Sequence, residues 1–600
     1  MSEQIVNDLT FQAATINGSG SQSANSVLMR AIFSMGIPVA PKNIFPSNIE
    51  GLPTWFQIRI SPEGYMARKG DPDVLVALNP TTWAQDLKGV RPGAAVIHEA
   101  AYATGDVRED VHYYPVPFAQ LGKTKIENDT LRKQLVNMIY VGVVARLLEI
   151  PLEAVEHGLR RHFQAKPKAL PLNLQAVQVG MDYWDQNLAK QDAYVLRPMT
   201  GKTEGMILVE GNQAAALGAL MGGCTVAAWY PITPSSSLCE YIGSYADRFR
   251  SDAEGGGRRI AVVQAEDEMA AVGIAIGAGW AGARAMTSTS GPGISLMAEF
   301  VGLAYYSEVP VVIFDIQRIG PSTGLPTRTS QADLQFAYTL SHGDTKHLVL
   351  LPGTVEECYE FGRDAFDLAD RFQTPVFVLS DLDLGMNLWM TKPFKYPEKP
   401  FDRGKVLTAA QVEELKGDWG RYRDVDGDGV TYRTLPGTDH PLAAYFTRGS
   451  GHDEEARYTE SGVVYARNMD RLNRKFETAR EAMPRPVASG TGASVGIIAF
   501  GSTWTAVEEA RIRLREARLE TDFLRVRALP LAASIKDFVR DHERVYVVEG
   551  NRDGQLYDLL RLHLPPELAA RLTSIRRYDG QPIPADAITR PILELETIPA

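Results

Sequence analysis

The chain has 600 residues, of which 44% are hydrophobic and 22% charged, and its formal net charge is −11. This composition is near the globular average and excludes global disorder; the acidic balance gives a nucleic-acid partner no electrostatic support; and the lack of any run of about 18 uncharged apolar residues excludes a membrane-spanning helix. At roughly 100–200 residues per domain, about three to five domains are expected.

The opening residues, MSEQIVNDLTFQAATINGSG, carry acidic side chains and neither a basic region nor an apolar core, so no signal or transit peptide is expected. Residues 1–190 read as a first α/β domain. FQAATING is a strand entering a glycine-bearing turn, GSGSQSANS, and SVLMRAIFSMG is an amphipathic helix. The apolar runs WFQIRIS, DVLVALN and AAVIHEA alternate with helical patterns, which predicts a mostly parallel sheet. A helical period runs through Leu131, Val136, Ile139, Val143 and Leu147 until Pro151 breaks it, and a second helix follows. The polar stretch DQNLAKQDAYVLRPMTGKTEG reads as a linker near residues 185–205.

Residues 200–390 read as a second α/β domain. Its strands are MILVEG, TVAAWYP, RIAVVQAE, ARAMTSTS, VPVVIFDI, HLVLLPG and PVFVLSD, with alanine- and glycine-rich helices between them that suit tight helix–sheet packing. Residues 391–490 are rich in proline, glycine and charge. They read as an ordered but irregular excursion with one helix near 463–482, too aromatic (Tyr422, Tyr432, Tyr445, Phe446, Tyr458) for a free tether. Residues 491–600 read as a small α/β unit: ASVGIIAFG, a helix over 504–518, TDFLRVRAL, a helix over 533–540, RVYVVEG and a helix over 553–561. No repeat of solenoid length is visible.

The chain has only three cysteines, Cys224, Cys239 and Cys358, with no CxxC and no zinc spacing. A cubane iron–sulfur cluster needs about four thiolates, which this chain cannot supply alone. The scattered set fits buried free thiols in a reducing cytoplasm.

Several motifs sit where a strand meets a helix. GSGSQS (Gly18–Ser23) places glycines where backbone amides approach a phosphate at a helix N-terminus, or simply where a strand turns into a helix. YPITPSS (Tyr230–Ser236) holds Thr233 between two prolines on extended backbone, with Ser235 to Ser237 available to cap the next helix. QAEDEMAAVG (Gln264–Gly273) sets three carboxylates at a helix start, where the dipole alone favours acids. The small-residue helix behind it permits close approach of another surface. TSTSGPG (Thr287–Gly293) is a third such turn. DIQRIGPSTGLPTRT (Asp315–Thr329) is a Gly/Pro loop with two arginines, and Arg318 could fork onto a ligand carboxylate or pair with a structural aspartate. DVDGDG (Asp424–Gly429) is not an EF-hand, because the twelfth position is Leu435 and no helices flank it; nor is it a thiamine-diphosphate motif, because no Asn occurs at 450–460.

YPITPSS, QAEDE with its small-residue helix, TSTSGPG, QRIGPSTGLPTRT and VEGNRDGQ stand in one order along the chain. Together they resemble the α subunit of the 2-oxoacid:ferredoxin oxidoreductases, in the form with a γ domain fused at the N-terminus. DVDGDG, YRTLPG, FTRGSGHDE and MDRLNRK resemble the 2-oxoglutarate type, and FPSNIEGLPTW (Phe45–Trp55) resembles the γ-domain loop. The resemblance covers nearly the whole chain. It implies an α/β protein of three α/β domains: a γ-type domain over 1–190, a thiamine pyrimidine-binding-type domain over 200–390 and, after the 391–490 connector, a transketolase C-terminal-like domain over 491–600.

The resemblance also implies a divided chemistry. The β subunit holds the diphosphate and Mg²⁺ of thiamine diphosphate and carries the [4Fe–4S] cluster, while this chain supplies the pyrimidine side and no metal ligand. Implied partners are that obligate β subunit and ferredoxin, in a cytoplasmic (αβ)₂ heterotetramer with neither nucleic acid nor membrane. The implied reaction is reversible: 2-oxoacid and coenzyme A give acyl-CoA, CO₂ and electrons for ferredoxin. Glu266 is implied to hydrogen-bond the pyrimidine ring nitrogen, Tyr230 and Pro231 to line the cofactor, and Thr233 to face cofactor and substrate carboxylate. Arg318, Ser235 and Thr323 are implied at the substrate end; Gly18, Gly20 and Ser21 are implied contacts of coenzyme A. The chain departs from the family at Ser21 and Ser23, where a GxGGQG loop is more usual, and at Ile319, where glycine is common. The reading favours 2-oxoglutarate as substrate. Pyruvate or another 2-oxoacid, a non-redox thiamine enzyme, and a non-catalytic scaffold subunit are the alternatives.

Overall fold

The structure, a computed structural model, describes residues 4–46, 49–102, 108–125, 129–251 and 257–597. The chain divides into two compact units, one of residues 1–208, 387–393 and 583–585, the other of 209–386, 394–582 and 586–600.

The first unit is built on a six-stranded sheet. Its strands are β1 (Leu9–Ile16), β2 (Val39–Ile44), β3 (Pro53–Ile60), β4 (Val74–Ala77), β5 (Ala95–Glu99) and β6 (His112–Val116), in the order β2-β3-β1-β4-β5-β6. The β1, β4, β5 and β6 side is parallel, as expected. β3 instead runs antiparallel to both β1 and β2. The reason is connection length: the loop from Ile44 to Pro53 is too short for the crossover of a dozen or so residues that a parallel pair needs. Two residues of that loop, 47 and 48, lie outside the described residues.

The longer helices of this unit are α1 (Ser21–Ser34), α2 (Asp129–Leu147), α3 (Leu152–His162), which starts directly after Pro151, and α4 (Leu170–Asn187). Val27, Leu28, Ile32, Ile139, Val143 and Val177 sit in one core with the strands. α2 and α4 cross at a pair of glycines, because a Cβ at Gly142 would lie 2.0 Å from Val177 O and one at Gly180 would lie 2.0 Å from Ile139 O. The stretch expected as a linker is fastened to this unit. Tyr194–Val195 pairs with Ile5–Val6, and buried Asp192 accepts from Tyr114 Oη at 2.6 Å. Lys190 Nζ donates to Leu147 O at 2.6 Å and to Tyr194 O at 2.7 Å. Its polar residues thus serve as partners for buried groups.

The second unit carries the strands β7 (Val226–Trp229), β8 (Ala261–Gln264), β9 (Ala285–Thr289), β10 (Val311–Gln317), β11 (Leu348–Leu350) and β12 (Pro375–Asp381). They form a parallel sheet in the order β8-β7-β9-β10-β12-β11. α5 (Ser236–Phe249), α6 (Glu268–Trp280) and α7 (Gly291–Ser307) begin at the carboxyl ends of β7, β8 and β9, so the motifs YPITPSS, QAEDE and TSTSGPG share one edge of this sheet. In the excursion, α8 (Gly462–Ala482) matches the expected helix, and its Arg471 and Lys475 reach buried Glu308 at 2.6 and 2.8 Å. The DVDGDG loop neutralises a lysine: Lys405 Nζ lies 2.6 Å from Asp426 and 2.8 Å from Asp428.

A second sheet of the same unit contains β13 (Val487–Ser489), β14 (Val495–Phe500), β15 (Thr521–Val526), β17 (Arg544–Glu549) and β18 (Leu572–Arg576), in the order β13-β15-β14-β17-β18. Directly after β15 the chain forms β16 (Ala528–Leu529), which pairs antiparallel with β11 and joins the first sheet. β18 and the closing helix Asp586–Thr597 are additions to the elements expected from the sequence.

Candidate functional site

After β7 the chain turns rather than extends at Thr233. Ser235 N–H donates to Ile232 O at 2.8 Å and the Thr233–Pro234 peptide is cis. Ser235 occupies the N-cap position of α5 without capping it; its hydroxyl is drawn back onto Ile232 O at 3.3 Å by the same turn. The expected serine cap is therefore absent. Asn212, which sequence reasoning passed over, fixes this turn from below. It is buried, and its Nδ2 donates to Pro234 O and Ser237 Oγ, both at 2.9 Å. Tyr230 and Pro231 lie on the exposed edge beside Thr233.

The three carboxylates after β8 separate by role. Asp267 N-caps α6, accepting from Ala270 N–H at 2.7 Å. Glu268 is buried in the first turn, close enough to α7 that a Cβ at Gly293 would come within 3.0 Å of its Cγ. Glu266 is exposed at the strand end, and its carboxylate has no hydrogen bond or ion pair among the described residues.

Arg318 leaves β10 only 7% exposed. Its Nη1 donates to Thr233 O at 2.6 Å, its Nε has no partner, and no carboxylate lies within ion-pair range of it among the described residues. Burial lowers the guanidinium from its ordinary value, against the pull of Asp333 and Glu268. Ile319 turns away from this site: Ile319 N–H bonds Arg328 O at 3.1 Å, and its Cδ1 lies 2.8 Å from where a Cβ on Gly580 would stand. Thr323 is at the exposed tip of the loop, and no hydrogen bond of the described residues ties it to Thr233 or Arg318.

VEGNRDGQ braces the far side of this loop. Gln331 Oε1 accepts from Gly550 N–H at 2.8 Å and Thr503 Oγ1 at 2.9 Å, while Asn551 Nδ2 donates to Gln331 O at 2.9 Å. Glu549, fully buried, accepts from Leu556 N–H at 2.9 Å at the start of α9 (Gln555–His563). Gln331 was not legible in the sequence, where it looks like an isolated polar residue.

In the first unit, Gly18 and Gly20 both have positive φ, +85° and +88°, and lead into α1. The loop is pinned by Asn137 Nδ2, which donates to Ser19 O at 2.7 Å, while Ser21 Oγ accepts from Thr15 Oγ1 at 2.8 Å. Ser19 Oγ is buried without a partner.

A family model described as pyruvate flavodoxin/ferredoxin oxidoreductase, thiamine diP-bdg, matches residues 217–393, and one described as pyruvate ferredoxin/flavodoxin oxidoreductase matches residues 11–183. The chain is similar to subunit alpha of 2-oxoacid:ferredoxin oxidoreductase 2 from Aeropyrum pernix, at 30% identity over 96% of each chain. It is similar to the 2-oxoglutarate oxidoreductase subunit KorA of Mycobacterium tuberculosis, at 26% identity over 98% of this chain and 91% of that one. A solved 2-oxoglutarate:ferredoxin oxidoreductase from Magnetococcus marinus, with 2-oxoglutarate, coenzyme A and succinyl-CoA bound, superposes with a TM-score of 0.87 at 28% identity, over 98% of this chain and 99% of that one.

Proposed function

The chain belongs to the 2-oxoacid:ferredoxin oxidoreductases as an α subunit with a γ-like domain at its N-terminus, and on that footing we propose that its enzyme acts on 2-oxoglutarate. The reaction is then 2-oxoglutarate and coenzyme A to succinyl-CoA and CO₂, with the electron pair leaving through the β subunit's cluster to ferredoxin, and reversal when reduced ferredoxin is plentiful. The observation that carries this reading is Arg318, a nearly buried guanidinium that spends one donor on Thr233 O and has no carboxylate partner. A dicarboxylate substrate brings a second charge for it to meet with two hydrogen bonds. The similarity to a relative solved with 2-oxoglutarate supports the same choice.

Thiamine diphosphate fits the strand ends of the second unit. Glu266 offers an unpartnered carboxylate there, the group that a pyrimidine ring nitrogen requires, and Tyr230 and Pro231 flank the Thr233 turn that faces it. When bound, the cofactor supplies the carbon at which a 2-oxoacid loses CO₂. With the cofactor bound, Glu266 would hold a proton at the ring nitrogen and so would set the tautomer of the ring. Thr233 presents the substrate carboxylate side of the turn, Arg318 holds the distal charge, and Thr323 stands at the entrance; Ser235, fully buried with its hydroxyl on Ile232 O, shapes the turn instead of meeting the substrate. The diphosphate, Mg²⁺ and cluster are assigned in this reading to a β subunit in an (αβ)₂ assembly. Gly18, Gly20 and Ser21, at the positive end of α1, are the proposed contact for a phosphate of coenzyme A.

Co-expression of the chain with its β subunit tests this. The complex should reduce ferredoxin with 2-oxoglutarate and coenzyme A at a kcat/KM well above that with pyruvate. A preference for pyruvate would remove the substrate assignment, and no 2-oxoacid-dependent reduction would remove the enzymatic reading.

A further inference from the structure

The FTRGSGHDE loop of the excursion takes no part in the chemistry above, yet it holds aromatic side chains in solvent. Phe446 and Tyr458 are 66% and 55% exposed. Arg448 stands between them, its guanidinium carbon 4.4 Å from the centre of the Phe446 ring and 6.0 Å from that of Tyr458. Its Nε donates to Ala456 O at 2.9 Å, which fixes the plane of the group. No carboxylate pairs with it among the described residues, so its terminal donors are unspent.

The loop is fastened to the ends of two helices. Trp280 Nε1, on the last residue of α6, donates to Thr447 Oγ1. Ser307 Oγ, on the last residue of α7, donates to Arg448 O at 3.0 Å. Gly449 rests on α7, where a Cβ would come within 2.5 Å of Leu303 Cδ1. Beside the loop opens a cavity of about 430 Å³, whose lining includes Leu303, Tyr306, Gly449, Gly451 and Tyr465. Glu299 and Asp344 also line it, and neither has an ion-pair partner among the described residues.

Exposed aromatic rings around a stacked arginine are costly to leave in water, and these residue types dominate the centres of protein interfaces. The arginine is already oriented, so pairing it with a carboxylate costs little further side-chain entropy. The neighbouring cavity, with two unpaired acids in its wall, suits a basic side chain.

α6 indicates which partner this is. Its solvent face carries Met269, Ile274, Gly277 and Trp280 and no charged side chain. Glu266 stands at the start of that helix. On the reading above it meets a cofactor whose diphosphate lies on the β subunit, so the β subunit reaches this end of α6. The helix has 13 residues and is about 20 Å long. An interface of standard size covers about 800 Å² of each partner, a patch about 30 Å across. An interface that starts at Glu266 and follows the uncharged face of α6 therefore extends to Trp280 and the loop bonded to it.

We propose that the Phe446–Tyr458 loop, with Trp280 beside it, is an anchor for the β subunit. Phe446, Tyr458 and Trp280 bury against that subunit, Arg448 pairs with one of its carboxylates, and the cavity beside Gly449 takes one of its basic side chains. The irregular excursion is thus the part of this chain that recruits the chain carrying the cluster. The inference rests on the reading of a thiamine site divided between two chains, and its test reads assembly rather than turnover.

Mass photometry of the co-expressed complex on dilution measures the dissociation constant of the αβ pair. The double variant Phe446→Ala, Tyr458→Ala should raise it on the order of thirtyfold, the loss of one interface hot spot, and Arg448→Glu should do the same. Parent affinity in both overturns the proposal. Loss of the (αβ)₂ assembly with the αβ pair intact assigns the loop to a second copy of this chain, and a raised KM for ferredoxin at unchanged αβ affinity assigns it to ferredoxin; either result overturns the proposal as well. A measurement on the parent protein needs no variant. Hydroxyl-radical footprinting should find Trp280, Phe446 and Tyr458 oxidised in the free chain and protected in the complex; equal oxidation in both overturns the proposal. A parent complex that assembles with this protection but does not reduce ferredoxin with any 2-oxoacid removes the enzymatic reading and leaves the docking surface supported.

Discussion

Arg318 Nη1 donates to the carbonyl oxygen of Thr233 at 2.6 Å, tying the loop after β10 to the turn after β7 across the end of β9, which lies between them in the sheet. The bond fixes the direction of the guanidinium while leaving its other donors unspent.

Arg318→Ala should cost 2-oxoglutarate more than pyruvate, because pyruvate has only a methyl group where 2-oxoglutarate carries its second charge. A hydrogen bond to a charged group is worth ~1.5–3 kcal/mol, so the differential loss in kcat/KM should be about 10–150-fold. Steady-state kinetics of the αβ complex with both substrates measures it. Equal losses would mean that Arg318 meets the carboxylate common to all 2-oxoacids or only holds the Thr233 turn.

Glu266→Gln should leave folding and assembly intact, since the side chain is exposed and bonded to none of the described residues. Turnover should fall by about 10²–10⁴-fold, the usual contribution of a positioned acid or base. Asp267→Ala should do the reverse: it removes the cap on α6 and should lower stability by ~1 kcal/mol with little effect on catalysis. Near-normal turnover in the Glu266 variant would reduce that residue to a carboxylate at a helix start.

Expressed without its β subunit, the chain should be colourless and free of iron. All three cysteines are buried, and burial raises each thiol, Cys239 to about 12. A thiol reagent should find no reactive group in the native chain at neutral pH and three in denaturant. Stoichiometric iron in the isolated chain would contradict the assignment of the cluster to the partner.

Glu308→Gln should destabilise the second unit by about 3–5 kcal/mol, because it strands the buried cations Arg471 and Lys475 that meet Glu308 at 2.6 and 2.8 Å. Opposed by desolvation, these cations still hold the Glu308 carboxyl far below its ordinary 4.5. Its contribution is therefore complete above that value and is lost as the pH falls below it. Lys475 is also lowered from its own ordinary value, to about 8, because burial, with Arg471 nearby, outweighs its single anionic partner. Thermal melts from about pH 3 to pH 7 should show an acid-sensitive transition in the parent that is weaker in Glu308→Gln; parallel curves would show the pair to be neutral for stability.

How far each feature was legible depended on how local its cause is. Strands such as VPVVIFDI and PVFVLSD and the helix 462–482 follow from short-range apolar patterning, and the structure has them at Val311–Gln317, Pro375–Asp381 and Gly462–Ala482. The linker reading of 185–205 failed because polarity says nothing about partners: Asp192 is polar to satisfy Tyr114, 78 residues away. Ser235 was legible as a helix start but not as a failed cap, since the turn through Ile232 decides where its hydroxyl goes.

Legible from residue type and from spacing within one segment were the α/β class, the strand-to-helix turns that carry Thr233, Glu266 and Arg318, and three cysteines too few and too scattered for a cubane ligand set. Contacts between distant segments were needed to make β3 pair antiparallel, to leave Glu266 rather than Asp267 or Glu268 without a partner among the described residues, and to fasten Arg318 to Thr233 O. Strand direction, burial and electrostatic coupling arise between segments far apart in the chain, where desolvation and through-space charge act without regard to sequence distance.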